Sequence, residues 1–327
     1  MRALGISTIL SSLPFALIAQ GATPTAFVTT IGKDTFCLEQ YTRTKNVISG
    51  TWTVLHVPGV YVHDYRIMLG DDGVPVRYSM KYSTPGAATP PDLDSLTVDY
   101  GPDSATSRFY TQRSVDTRRF AMREAFPLLG QSYVGVELAL MRMRRMHLDS
   151  STITLQPPSE PARPVMLAPA RFLSGDSALV SQNLRIHVGA DGTILGLRSG
   201  ALELRRVAPF DIAALTDGFV KAFAPRAAAL AAAAAARVEI SLPASQLDRF
   251  VGEYVLGPTT IPITRDGDHL LLHLPQQPAI QLMAMSPTEF FVRKPDLVMS
   301  FESDSSGRVT GLSIGQGDTR QRLTRKD

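Results

Sequence analysis

Three groupings in the sequence hold residue types that could do chemistry. Gly311-Leu312-Ser313-Ile314-Gly315 has the G-x-S-x-G pattern of a serine nucleophile. That pattern works at a strand-to-helix turn, which lifts the hydroxyl beside an oxyanion hole, with an acid and a histidine later in the chain. Here it falls in a late β-prone run with a turn after it, and no room remains downstream for the partners. His269 and His273 stand four apart, as zinc ligands do on a helix. The Leu270-Leu271-Leu272 run and the preceding Asp266-Gly267-Asp268 turn indicate a strand instead. On a strand the two rings are separated by about 13 Å, too far for one ion to bridge. His56, His63 and Asp64 fall on adjacent predicted strands, but consecutive strand residues face opposite sides and no third ligand is evident. Asp71-Asp72 and Asp266-Gly267-Asp268 start like calcium loops, yet neither continues to the closing glutamate. No phosphate-binding glycine loop and no metal site is predicted, and no cofactor is expected.

The elements that would position these residues are mostly strands. Phe36, Leu38, Gln40 and Thr42 alternate with Cys37, Glu39, Tyr41 and Arg43, a period of two. Runs at 51–57, 61–69 and 76–82 follow, divided by Pro58-Gly59 and Asp71-Asp72-Gly73 turns. Further strands are expected at 96–100, 106–112 and 118–124, then at 170–173, 184–188, 194–198 and 201–207. Between the two sets, Tyr133, Val134, Leu138, Met141 and Arg145 recur at helical spacing, so a helix is expected over 127–145 with Pro127 in its first turn. This makes one domain over 35–207. Residues 211–237 read as an Ala-rich helical linker, with Pro225 breaking or kinking it.

From Leu247 to Leu323 short apolar runs alternate with turn residues, the pattern of an antiparallel sandwich or barrel. Leu247-Asp248-Arg249-Phe250-Val251-Gly252-Glu253-Tyr254, the Asp266-Gly267 hairpin, Glu289-Phe290-Phe291 and Gly307-Arg308-Val309-Thr310-Gly311-Leu312 match a known module in order and spacing. Over roughly the last quarter of the chain this resembles the small lipocalin-like C-terminal domain of penicillin-binding-protein-like serine peptidases. The resemblance implies a β-barrel of about eight strands that supports oligomerisation or packs beside a catalytic domain and carries no catalytic residues. The peptidase domain itself is missing, and no lysine has a serine three positions before it, as the Ser-x-x-Lys signature requires. The expected fold class is thus mainly β: an N-terminal antiparallel meander or half-open barrel with one interposed helix, the Ala-rich linker, and the C-terminal barrel.

The chain has 327 residues, 44% of them hydrophobic, with a formal charge of +3. Its charges of both signs are dispersed, which excludes a concentrated nucleic-acid footprint. Residues 1–21 have a short positive start, an apolar run and small residues near Ala19-Gln20-Gly21-Ala22, the pattern of an export signal leading to the periplasm or outside. Cys37 is the one cysteine; it forms no internal disulfide and is expected to be buried as a small apolar group.

With no converging reactive trio, the function expected is non-catalytic. The first sheet would curl around an apolar groove for a lipid or similar ligand, lined by Trp52, Leu55, Tyr65, Ile67, Leu138 and Met141, with the helix covering it. The alternatives are an oligomerisation or peptidase-accessory protein acting through the C-terminal barrel, and a hydrolase with an unrecognised site.

Overall fold

The computed structural model describes residues 23–56, 59–87, 93–157, 165–173, 176–181, 184–256, 259–274, 279–293, 296–316 and 319–326. The expected export signal at 1–21 lies outside them. The chain divides into two compact units, with the last boundary between Ile212 and Ala213.

The first unit is built on one sheet of fifteen strands. They are β1 (Thr25–Ile31), β2 (Asp34–Arg43), β3 (Val47–His56), β4 (Gly59–Leu69), β5 (Pro75–Ser83), β6 (Leu93–Tyr100), β7 (Ser104–Thr111), β8 (Val115–Ala121), β9 (Ala125–Pro127), β10 (Ser150–Gln156), β11 (Met166–Phe172), β12 (Ser177–Val180), β13 (Leu184–Val188), β14 (Ile194–Ser199) and β15 (Leu202–Val207). The spatial order runs from β8 back to β1, then from β15 back to β9. Two meanders are therefore joined where the first strand meets the last, with Ala26 opposite Val207 and Ile31 opposite Leu202. β1 lies before residue 35, so the domain starts earlier than expected. β9 pairs with β10 in parallel, Thr154 opposite Ala125.

One helix interrupts the strands, as expected, but α1 spans Val134–Arg145 and not 127–145. Pro127 is the last residue of β9. The backbone there follows β10, and the Leu128 N–H continues the ladder by donating to Gln156 O at 2.7 Å. A tight turn then bridges Leu129 and Ser132 before the helix begins. Arg142, Arg144 and Arg145 fall in the last turn, where cations complement the exposed carbonyls.

The second helix, α2, runs over Ile212–Ala235 and continues through Pro225, which neither starts nor ends it. The alanines that follow favour the helix strongly enough to carry it past the lost N–H. Thr216 is its one buried residue.

The second unit holds a closed barrel. Its strands are β16 (Gly252–Leu256), β17 (Thr259–Asp266), β18 (His269–Leu272), β19 (Ile280–Ala284), β20 (Glu289–Val292), β21 (Leu297–Ser303), β22 (Val309–Gln316) and β23 (Thr319–Arg325). β16 pairs with both β17 and β23, which leaves the ring without a free edge. Inward positions alternate as a period of two requires: Ile261 and Ile263, Leu270 and Leu272, Met299 and Phe301. The interior is filled by side chains. Phe301 is 4.4 Å from Phe250 between ring centroids and meets Phe290 edge-on at 5.4 Å. Buried Tyr254 donates its hydroxyl to Phe250 O at 2.8 Å. A barrel of eight strands is narrow enough for its own side chains to fill it. Phe301→Ala would open a void at the centre of this ring cluster. It is expected to cost about 3–5 kcal/mol, read as a lower urea midpoint for the barrel, with Phe301→Leu losing much less.

Candidate functional site

The six residues expected to line a groove have separate surroundings. Trp52 stacks on His63 with ring centroids 3.8 Å apart, and His63 meets Tyr82 edge-on at 5.1 Å. These three share one face of β3, β4 and β5. Trp52 is buried, yet its Nε1 has no hydrogen-bond partner among the described residues. Burial pulls the His63 imidazole down to about 4, against a smaller upward pull from the Trp52 backbone. Leu55, Ile67 and Leu138 are buried as plain core. Met141 is half-buried and takes an N–H from Arg43 on its sulfur. Tyr65 is fully buried and donates its hydroxyl to Glu39 at 2.7 Å.

That last bond belongs to a cluster that the strand pattern did not single out. Glu39 on β2 and Glu137 on α1 are both buried. Glu39 accepts hydroxyl bonds from Tyr65 and from Ser132, in the turn before α1. Glu137 accepts one from Tyr41 on β2 and the Ile194 N–H of β14 at 2.7 Å. No lysine or arginine nitrogen of the described residues forms an ion pair with either carboxylate. Arg43 and Arg206 act on Glu137 only as weaker influences. Desolvation is the largest effect on both groups. It pushes Glu39 up to about 7, against the lowering by its two hydroxyl donors and with a further rise from Glu137. Burial likewise raises Glu137 and the hydroxyls of Tyr41 and Tyr65.

Two glycines make this geometry possible. A Cβ on Gly50 of β3 would lie 2.5 Å from Tyr41 Cβ and 2.8 Å from Tyr65 Cζ, so the missing side chain is the space the two tyrosines occupy. A Cβ on Gly135 of α1 would lie 1.8 Å from the Pro127 carbonyl oxygen, so the helix backbone rests directly on β9. A glycine inside a strand can mark such a close approach, which is the signal that was available at Gly50. For Glu137 the signal was its place between Val134 and Leu138, inside the apolar stripe of the helix.

A cavity of about 560 Å³ lies where α1, the β9–β10 end and the β6–β7 turn meet. Phe126, Ala139, Met143 and Ile153 form its apolar wall. Arg142, held 3.1 Å from Glu124, and the Ser151, Thr152 and Thr154 hydroxyls form its polar side. Glu124 adopts a φ of +47°, a left-handed conformation uncommon for a residue with a side chain. None of the six expected residues lines this cavity.

The other motifs do not assemble sites. Ser313 is in mid-strand on β22 and donates to Glu302, which Arg322 holds at 2.8 Å, so its partner is a carboxylate and not a base that could be oriented by one. His269 faces Glu239 at 3.4 Å, while His273 bonds Thr264 at 2.8 Å. No group of three metal-ligating side chains occurs among the described residues. The side chain of His56 lies outside them. Cys37 is buried, and desolvation followed by the Glu39 charge raises its thiol well above the usual range, which makes it unreactive.

No family model matches the chain, and no curated protein matches it. Among solved structures, a DUF1089 family protein from Pseudomonas aeruginosa aligns with 51% of this chain and 92% of its own, at 11% identity and a TM-score of 0.38. A beta-barrel-like protein of domain of unknown function DUF1849 from Brucella abortus aligns with 57% of this chain and 96% of its own, at 9% identity and a TM-score of 0.39. The site is accordingly read from its own residues.

The buried groups set the pH dependence of stability. Glu39 is raised from 4.5 to about 7, so its contribution is full below 4.5 and is lost as pH rises through about 7. His63 is lowered from 6.5 to about 4, so its contribution is full above 6.5 and is lost as pH falls through about 4. Between 4.5 and 6.5 the two slopes oppose each other; above 6.5 the Glu39 slope stands without that opposition. Urea midpoints of the first unit measured against pH should therefore fall above pH 6.5 in the parent. Glu39→Gln should make that fall shallower, the remainder coming from Glu137, which burial also raises. Separately, Gly50→Ala should cost about 1–3 kcal/mol or more by overpacking the tyrosines, measured by the same denaturation.

Proposed function

We propose that the protein is an exported, non-catalytic binding protein whose first unit takes a small amphipathic ligand. The observation that carries this reading is the cavity beside α1. At about 560 Å³ it falls in the size range of small-molecule sites. Its apolar wall suits a hydrocarbon or ring, and Arg142 with the threonine hydroxyls suits a polar end. α1 supplies Ala139, Arg142 and Met143 to it, so the helix covers ligand in this reading, with none of the residues named from sequence in the lining. The hydroxyls around Glu39 and Glu137 bond these carboxylates in place of a shared reacting atom, which supports binding over catalysis.

A second reading concerns the barrel. Because aromatic and aliphatic side chains fill its interior, its contribution is through its outer surface, in self-association or in contact with a peptidase partner as the sequence resemblance implies. Light scattering on the full chain and on a version ending near Ala236 tests this: a larger mass for the full chain supports it, and identical monomeric masses remove it.

The ligand reading is tested by native mass spectrometry of protein purified without detergent, followed by titration with a series of fatty acids, fatty alcohols and aromatic acids. Leu148 lines the cavity at its partly exposed side. Leu148→Trp is expected to fill the space and weaken binding at least tenfold without lowering the urea midpoint. A clean apo mass and no binding across the series would defeat the proposal.

A further inference from the structure

The cluster around Glu39 and Glu137 joins α1, which lines the proposed binding site, and its leading turn to the sheet. Ser132 is the link: its hydroxyl donates to Glu39 and also receives the Val134 N–H at the start of α1 at 3.4 Å. The turn holding Ser132 rests on the indole of Trp52, since a Cβ on Gly130 would lie 3.0 Å from Trp52 Cη2. One turn further along α1, Glu137 ties the helix to β2 through Tyr41 and to β14 through the Ile194 N–H. The helix and its leading turn are thus held to the sheet by two carboxylates, each accepting bonds that a half-protonated or neutral acid accepts without the cost of a bare buried charge.

We propose that Glu39 and Glu137 form a proton-operated latch: while protons are held on the pair, the Leu129–Ser132 turn and α1 stay closed on the sheet, and loss of those protons to solvent lets the turn and helix lift away from Trp52. The groups acting on the pair support this direction. On β2 they are Cys37, Tyr41 and Arg43; on β4 and β5 they are Tyr65 and Tyr78; on β15 it is Arg206. Most are neutral hydroxyl or thiol groups whose own ionisation is pushed upward. The two arginines act on the Glu137 side, which leaves Glu39 as the carboxylate whose ionisation meets only hydroxyl donors and a second acid. Two ionised carboxylates in this setting repel one another and gain solvation by opening.

The chain contains one tryptophan, so the latch has a built-in reporter. The full-length protein is followed from pH 5.5 to 8.5 by acrylamide quenching of Trp52 and by amide hydrogen exchange corrected for the intrinsic pH dependence. His63 acts in the opposite sense, its protonation favouring opening as pH falls below 6.5, so a rise in quenching with pH is not its effect. The expected result is a several-fold rise in quenching with a midpoint near 7, and α1 exchange that accelerates by up to about tenfold per pH unit below the midpoint before levelling off. Amides of the β1–β15 ladder should not follow. Glu39→Gln should hold Trp52 and α1 closed across the range. Ser132→Ala removes the tie from the turn and should expose Trp52 at both ends of the range; it carries the test should Glu39→Gln fail to fold. A parent protein with flat quenching, a Glu39→Gln variant with the parental transition, or β1–β15 amides that exchange in step with α1 would overturn the latch, the last by showing unfolding of the whole unit. None of these readouts uses a ligand, so the latch stands or falls separately from the binding proposal.

Discussion

Two carboxylates buried without a bonded cation among the described residues are the constraint around which the first unit is arranged. An isolated charge in such surroundings is too costly to keep, so each carboxylate is surrounded by donors drawn from distant parts of the chain. Tyr41, Tyr65, Ser132 and the Ile194 N–H come from β2, β4, the turn before α1 and β14. Satisfying these two side chains therefore fixes where the helix lies and which face of it is turned inward. The same demand explains the missing side chains at Gly50 and Gly135: one makes room for the donors, the other lets the helix backbone come close enough for Glu137 to reach them.

The two β units solve the problem of their interiors differently. The barrel closes its hydrogen-bond ladder on itself and fills the middle with aromatic and aliphatic groups, with Tyr254 bonding a carbonyl four residues back. Its stability is a matter of packed volume. The sheet of the first unit is too long to be filled in this way. It lays α1 and β9–β10 against its inner face and lines part of that contact with polar groups, including Gln156, which receives the Tyr100 hydroxyl at 2.8 Å and donates to Ser107 at 3.2 Å. Bonds of this kind specify one arrangement strongly but depend on every member being paired.

This contrast accounts for what the sequence disclosed. In the barrel, inward positions are apolar, so a period of two is legible in most of its strands. In β2 the alternation is visible but does not by itself say which face is turned inward: Cys37, Glu39 and Tyr41 are buried although Glu39 looks like a surface residue. Leu38, on the opposite face, is buried as well, so hydrophobicity could not choose between the faces. Pro127 was misread because proline suits the first turn of a helix and the end of an edge strand equally well by its fixed φ; only the parallel pairing with β10 decides. Pro225 does not break α2, because the alanines after it favour the helix. The lining residues named from sequence were chosen for size and apolarity, which are the properties of core, and the structure places Ile67 and Leu138 there.

The choice of donors bears on what the buried acids are for. Where a carboxylate is needed only as a structural tie, an arginine beside it fixes the ionised form and removes its sensitivity to pH. Arg43 is near enough to have served: it reaches α1, but it spends its N–H on the sulfur of Met141. Hydroxyls and a backbone N–H do something different. They lower the carboxyl pKa only part of the way against desolvation, which leaves Glu39 at about 7, where small changes in proton activity change its charge. A buried apolar pair of similar size would hold the helix without this sensitivity and often with greater stability. The network is therefore costly as a fastening, and its particular property is that the fastening depends on a proton.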